Sequence, residues 1–300
     1  EENILSSNLF DELATEAASK SIVLLKNENG LLPISREKKI ALIGPLADDS
    51  DAPIGNWRAK GKESSAISLL EGLKNNCDTK NLFYAKGCNL SIGPNNFFQE
   101  LLINNSDTSG FSSAIEIASN CDVVVMALGE PAFMSGEGRS RSNLDLPGVQ
   151  KQLLKKIYEV NPNVVLVLMN GRPLTIEWES DNIPSILETW HCGTMAGEAI
   201  ARILFGKENP SGKLTMTFPR NVGQIPIFYN KKSTGRPSSN PGQVFYSHHT
   251  DVSNLPLYPF GHGLSYTDFT YSDLTISSNE MNSLDTLTVC VTIENSGTVI

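Results

Sequence analysis

Two strand segments, 122–128 and 163–169, each apolar throughout after its first residue, most constrain what this chain can become. A run of that length without polar alternation reads as a strand buried on both faces. Such strands need helices above and below them, and the sequence supplies helical spacing in between. Leu13, Ala14, Ala17, Ala18, Leu24 and Leu25 predict a helix over 11–26, and a short apolar strand follows at 40–43. Leu69, Leu70 and Leu73 predict a helix over 66–74, ahead of a second short strand at 82–84. Residues 86–109 are rich in Asn, Gly and Ser and read as loop. Helices are predicted over 112–119, 148–160 and 195–205, and one more strand over 185–189. Strands and helices taking turns in this way indicate a three-layer α/β sandwich with a mainly parallel sheet.

The pattern changes after residue 218. Residues 219–265 are dense in Pro, Gly, Ser and aromatics and read as an extended connector. From 266 to 300 the period becomes two: Leu287, Val289, Val291 and Ile293 alternate with polar neighbours and predict a half-buried strand. About two strands are available where a β-sandwich needs about seven, so an incomplete β-sandwich is expected. The division is thus 1–218, 219–265 and 266–300.

The formal net charge of -9 argues against a nucleic-acid backbone or an anionic membrane as partner. No apolar run of membrane-spanning length occurs. Glu1-Glu2-Asn3 carries no basic-then-apolar leader, and without an initiator Met the chain reads as opening inside a larger protein. Cys77, Cys88, Cys121, Cys192 and Cys290 show neither a disulfide framework nor CxxC spacing. Cys121 and Cys192 read as small core residues, with a Cys77–Cys88 pair an alternative in an oxidising compartment.

In an open α/β sheet, ligands bind outside the carboxyl ends of the strands. The loop that follows Leu128 sits there and holds Glu130, Gly136, Glu137, Gly138, Arg139 and Arg141. A glutamate between glycines suits a general acid that must swing onto a leaving group. A solvated charged loop is the alternative reading. Other constellations fail: there is no GxGxxG, no GxxxxGK[ST] and no GxSxG. His191, His248, His249 and His262 have no evident nucleophile partner, and Asp48, Asp49 and Asp51 lack EF-hand spacing. No metal and no cofactor is expected. Trp57 reads as an exposed ring suited to stacking on a sugar, or equally as a core residue.

The residues also match a known family. The stretches AASKSIVLLKNENGLLPI (17–34), IALIGPLADD (40–49), GNWRAKG (55–61), DVVVMALGE (122–130), LDLPGVQKQLL (144–154), VVLVLMNGRPL (164–174), TGRP (234–237) and LYPFGHGLSYTDF (257–269), with the long block 186–226, resemble family 3 glycoside hydrolases, most nearly their periplasmic β-glucosidases. The resemblance implies a TIM barrel, a six-stranded α/β sandwich and a fibronectin type III-like domain, of which this chain holds the second, the connector and the opening of the third. It implies a retaining reaction on a β-linked oligosaccharide or glycoside. An Asp on the missing barrel attacks the anomeric carbon, and a Glu on the second domain protonates the leaving oxygen and then activates water. Glu137 matches that acid/base. Trp57, Glu130 and Arg141 match substrate-binding or loop-positioning places; Ser140 stands where the family often has an Asp. The domain together with Glu137 argues against the N-acetylglucosaminide-cleaving branch, which often lacks it. The resemblance implies a periplasmic or secreted exo-acting β-glucosidase, with a β-xylosidase or α-arabinosidase as alternative. The chain alone, lacking the nucleophile, is expected to be inactive, or to serve as a non-catalytic sugar- or protein-binding module.

Overall fold

The structure is a computed structural model and describes residues 8–232, 235–236 and 244–299. Two residues of the quoted stretch 234–237, Thr234 and Pro237, lie outside the described residues. The chain divides into two compact units, Glu1–Leu264 and Ser265–Ile300.

The first element is helix α1, Asn8–Ser21, and it stops short of the helix expected over 11–26. Val23–Asn27 is instead strand β1. Ile22, Val23, Leu24 and Leu25 are all buried, and four consecutive core residues cannot share one helical face. Strand β2 is Ile40–Ile43 and helix α2 is Leu69–Asn76. The Ser68 hydroxyl caps α2 by accepting from the Glu71 amide at 3.2 Å. Strand β3 (Leu82–Ala85), helix α3 (Phe111–Ser119), strand β4 (Val123–Gly129), helix α4 (Gln150–Val160) and strand β5 (Val164–Met169) follow close to their expected places. Helix α5, Glu177–Asn182, was not foreseen, because EWESDN is too short and polar to show a period. Strand β6 (Ser185–Glu188) and helix α6 (Ala196–Leu204) complete the unit.

The six strands form one sheet in the order β1-β6-β5-β4-β2-β3. All neighbours are parallel except β1, which runs antiparallel to β6 with Val23 opposite Glu188. Side chains alternate across a strand, and both sets are buried. Val124, Met126, Leu128, Leu166 and Leu168 share a core with Leu153, Leu154 and Ile157 of α4 and Ala114 and Ala118 of α3. Val123, Val125, Ala127, Val165 and Val167 point the other way and are buried as completely. On that face α6 packs against both α1 and α2. The α2–α6 approach is close enough that a Cβ on Gly72 would lie 2.0 Å from the Gly197 carbonyl oxygen. This is a three-layer α/β sandwich with a mainly parallel sheet.

The segment after Phe218 is largely irregular where described and belongs to the first unit up to Leu264, pinned there by isolated bridges, Phe218 to Tyr258 and Leu24 to Leu264. The second unit holds an antiparallel pair, β7 (Phe269–Ile276) and β8 (Val289–Asn295). The expected half-buried strand is corrected here. Val289, Val291 and Ile293 are exposed, as are Phe269, Tyr271 and Ile276, because two strands alone have nothing to pack their faces against.

Candidate functional site

Strands β2 and β4 are neighbours, yet the chain leaves them toward opposite layers, to α2 on one face and α4 on the other. A crevice opens outside the carboxyl ends of strands where the connections diverge in this way. The loop after β2, the loop after β3 and the loop after β4 carry the groups that meet around it.

The loop after β4 is held from below. Glu130 is 0 % exposed, and both its oxygens are engaged: Arg141 donates to Oε1 at 2.6 Å and Arg172 to Oε2 at 3.2 Å. The same arginines bind the loop backbone. Arg172 donates to the carbonyls of Met134 and, at 2.8 Å, of Arg139, while Arg141 donates to that of Asp145 at 2.9 Å. One buried anion therefore fixes two forks, and the forks fix both limbs of the loop. With both oxygens engaged in this way, Glu130 is placed as a support of the loop, one of the two roles the resemblance implies for it. Arg141 is committed to the same clamp.

Between these limbs lies Gly136-Glu137-Gly138. Gly136 has φ +115° and Gly138 φ +69°, both in the region that favours glycine. A Cβ on Gly136 would strike the Asn56 side-chain nitrogen at 2.0 Å, which donates to the Ser135 carbonyl at 2.7 Å. Glu137 is exposed, and among the described residues its carboxylate makes no ion pair or hydrogen bond. The glutamate that the loop presents is free to move, while the glutamate beneath it is locked.

The loop after β2 is built around one ion pair. Arg58 donates to Asp51 Oδ1 at 2.5 Å, to the Asp51 carbonyl at 3.2 Å and to the Gly55 carbonyl at 2.7 Å. Its guanidinium also lies 4.7 Å from the centre of the Phe133 ring. Asp51 thus serves as a local staple. Trp57, one residue away, is 74 % exposed and borders a groove of about 500 Å³ with Phe97, Phe98 and Phe133. The loop after β3 brings Phe97 and Phe98 in: Arg139 donates to the Phe97 carbonyl at 2.7 Å.

Under the crevice sits a polar layer that sequence reasoning missed. Glu188, at the end of β6, is fully buried and accepts from Asn170 Nδ2 at 3.2 and 3.0 Å and from the Trp190 amide at 2.9 Å. Burial pushes its carboxyl up to about 8, against the lowering effect of those bonds, with the Glu130 charge adding to the rise. His191 lies 3.4 Å from the Ser135 hydroxyl, and burial together with the Arg58 charge pushes its imidazole down to about 4. Asn170 and Arg172 follow β5, and Glu188 and His191 stand at and beyond the end of β6, so the parallel pairing of these two strands brings them together. Their one common signal was position just beyond an apolar run.

All five cysteines are free, so the alternative Cys77–Cys88 pairing is not formed; Cys121 and Cys192 are half-buried. Among the described residues no three His, Cys, Asp or Glu side chains are grouped to hold a metal ion.

Residues 22–266 match the model of the glycosyl hydrolase family 3 C-terminal domain. The chain is 41 % identical to the periplasmic β-glucosidase of Salmonella typhimurium, over 97 % of this chain and 39 % of that protein. It is 42 % identical to a β-xylosidase of Formosa agariphila, over 96 % of this chain and 38 % of that protein. The crystal structure of a β-glucosidase from Listeria innocua in complex with gluconolactone superposes with a TM-score of 0.88 at 36 % identity, covering 98 % of this chain and 38 % of that one. The chain thus spans well under half the length of these relatives.

Proposed function

Because the chain belongs to the glycosyl hydrolase family 3 C-terminal domain family, we propose that it is the portion of a retaining, exo-acting β-glucosidase that supplies the general acid/base, Glu137. The observation that carries this reading is the contrast between two glutamates on one loop. Glu130 is spent in a double ion pair, while Glu137 stands exposed between glycines with no ion-pair partner among the described residues. A group that must protonate a leaving oxygen and then deprotonate water needs that freedom together with a rigid base. In this reading Glu130, Arg141 and Arg172 are positioning residues, and Trp57 is the ring against which the substrate rests beyond the scissile bond. The nucleophile comes from a barrel outside this sequence, and a periplasmic or secreted location follows from the same kinship.

In the full-length protein, Glu137→Gln is expected to lower turnover of glucosides with poor leaving groups by roughly 10²–10⁴-fold, the usual contribution of general acid–base catalysis. Protonation of the leaving group matters little for activated aryl glucosides, so their glycosylation step is expected to suffer much less. Equal losses on both substrates, or none, remove Glu137 from the role.

A second reading has its own support. The identity to a β-xylosidase, 42 %, is within one percentage point of that to a β-glucosidase, 41 %, and the glycone would sit mostly on the barrel. Relative rates of the full-length protein on paired glucosides and xylosides decide between the two.

A further inference from the structure

We infer that His191 is a positioning residue for the general acid/base: through Ser135 it fixes the stem of the loop that presents Glu137 to the leaving oxygen. The inference rests on the glycosidase reading for the reaction, and on the packing beneath the loop for the residue.

Four loops at the carboxyl end of the sheet meet at this imidazole. The loop after β6 brings His191 itself. The loop after β4 brings Ser135, a buried residue whose hydroxyl lies 3.4 Å from Nε2. The loop after β5 closes on the pair, for a Cβ on Gly171 would stand 2.1 Å from the Ser135 hydroxyl and 3.0 Å from Nε2. The loop after β2 supplies Gly55, where a Cβ would stand 3.5 Å from the His191 side chain. Ser135 and His191 are wedged together, so their contact does not depend on one hydrogen bond alone. Burial and the Arg58 charge keep the ring neutral, and a neutral ring can accept the Ser135 proton at Nε2.

The chain accepts local cost to put the ring there. Trp190 holds φ +56°, a left-handed backbone that a bulky residue adopts only under constraint, and its amide is tied to the buried Glu188 at 2.9 Å. Nδ1 of His191 is buried with no hydrogen-bond partner among the described residues. Backbone strain and an unsatisfied polar atom at one spot point to a place shaped for function. The backbone beside Ser135 is already held, by Arg172 at the Met134 carbonyl and by Asn56 at the Ser135 carbonyl. The imidazole adds a stop for the side chain, one residue before Gly136. Glu137 stands two residues past Ser135, so a shift of Ser135 carries to its carboxyl, where about 1 Å can cost about 10²-fold in rate.

The test uses the full-length protein with ethyl and dinitrophenyl β-glucosides, the second of which departs without protonation. kcat/KM reports the first chemical step for both. A variant that merely lowers the folded fraction loses equally on the two, whereas a misplaced acid loses on the ethyl glucoside. His191→Leu and Ser135→Ala are each expected to lower the ethyl-to-dinitrophenyl ratio of kcat/KM by roughly 10–10²-fold. The double variant should be no worse than either single one, because both remove the same contact. His191→Gln, which can return an acceptor to the place of Nε2, should recover much of the ratio. Equal losses on both substrates, or losses that multiply in the double variant, overturn the inference. Should His191→Leu fail to fold, Ser135→Ala decides alone, and its ratio must fall. Glu137→Gln run beside them separates the two failures. If it leaves the ratio unchanged, the acid/base reading falls and takes this inference with it; if it lowers the ratio while His191→Leu does not, only the inference falls.

Discussion

A carboxylate cut off from water persists only with cations or donors at hand, and two buried glutamates near the crevice meet that demand differently. Glu130 has Arg141 and Arg172. Removing one arginine leaves a buried charge half compensated and frees two loop carbonyls, so Arg172→Met is expected to destabilise the protein by roughly 3–5 kcal/mol, read as a lower urea midpoint. Glu188 has only neutral donors, and its carboxyl stays protonated up to about 8. The folded state then holds a proton that the unfolded chain gives up near its ordinary value. Stability must therefore fall as pH rises from about 4.5 toward 8. Glu188→Gln, which mimics the protonated acid, should lie close to wild type at the acid end of that window and gain on it toward the alkaline end. Urea midpoints of both proteins across the window check this, and a constant difference would refute it. His191 works in the opposite sense. Its imidazole is held neutral down to about 4, so it contributes stability that is lost as pH drops from about 6.5 toward 4. The roles of Arg172, Glu188 and His191 were not visible in sequence. Glu130 and Glu137 are seven residues apart on one loop, and nothing in the string of letters says which will be sealed.

At the level of elements, the sequence was most legible where burial is most complete. Strands β4 and β5 announce themselves because a strand covered on both faces has no polar residues to interrupt it. Helix α4 was equally plain, with Leu153, Leu154 and Ile157 on one buried stripe. Strand β1 was misread because the helical spacing of α1 runs without a break into Ile22-Val23-Leu24-Leu25, and only pairing with β6 reveals the change. Composition and the expectation of ligands at strand ends located the loop after β4 as the candidate site, but its conformation depends on contacts to Asn56, Phe97 and Arg172 that spacing cannot supply. Gly136 is where that conformation is most exposed to test. A methyl there would face both a φ of +115° and the Asn56 amide at 2.0 Å, so Gly136→Ala must shift the loop or break the bond to Ser135. Displacements of about 1 Å at a reacting group can cost about 10²-fold in rate. The full-length Gly136→Ala protein is expected to keep its melting temperature nearly intact and lose turnover by that order, whereas Gly138→Ala, with open space around its Cβ, should be milder.

For the molecule as a whole, the arrangement of carboxylates decides what these 300 residues can do alone. A retaining glycosidase needs two carboxyl groups about 5–5.5 Å apart, one attacking and one donating a proton. Around the crevice, Glu137 is exposed and makes no ion pair, while Glu130 is neutralised by arginines and Glu188 is buried as an uncharged acid. Neither buried group can reach an anomeric carbon, so neither can serve as nucleophile beside Glu137. The purified chain is therefore expected to show no hydrolysis of aryl or alkyl glucosides, even of activated ones that need no acid, because the step that is missing is the attack itself. The exposed apolar faces of β7 and β8 add a physical expectation for the same preparation. Strands with Tyr271, Val291 and Ile293 open to water invite pairing with other copies. Sedimentation at rising concentration should show association, and Val291→Lys with Ile293→Lys should suppress it without creating activity. Turnover of an activated glucoside by the monomeric double variant, free of contaminating hydrolase, would mean that a nucleophile lies within this chain after all, and the division of the two carboxylates between separate folded units would have to be abandoned.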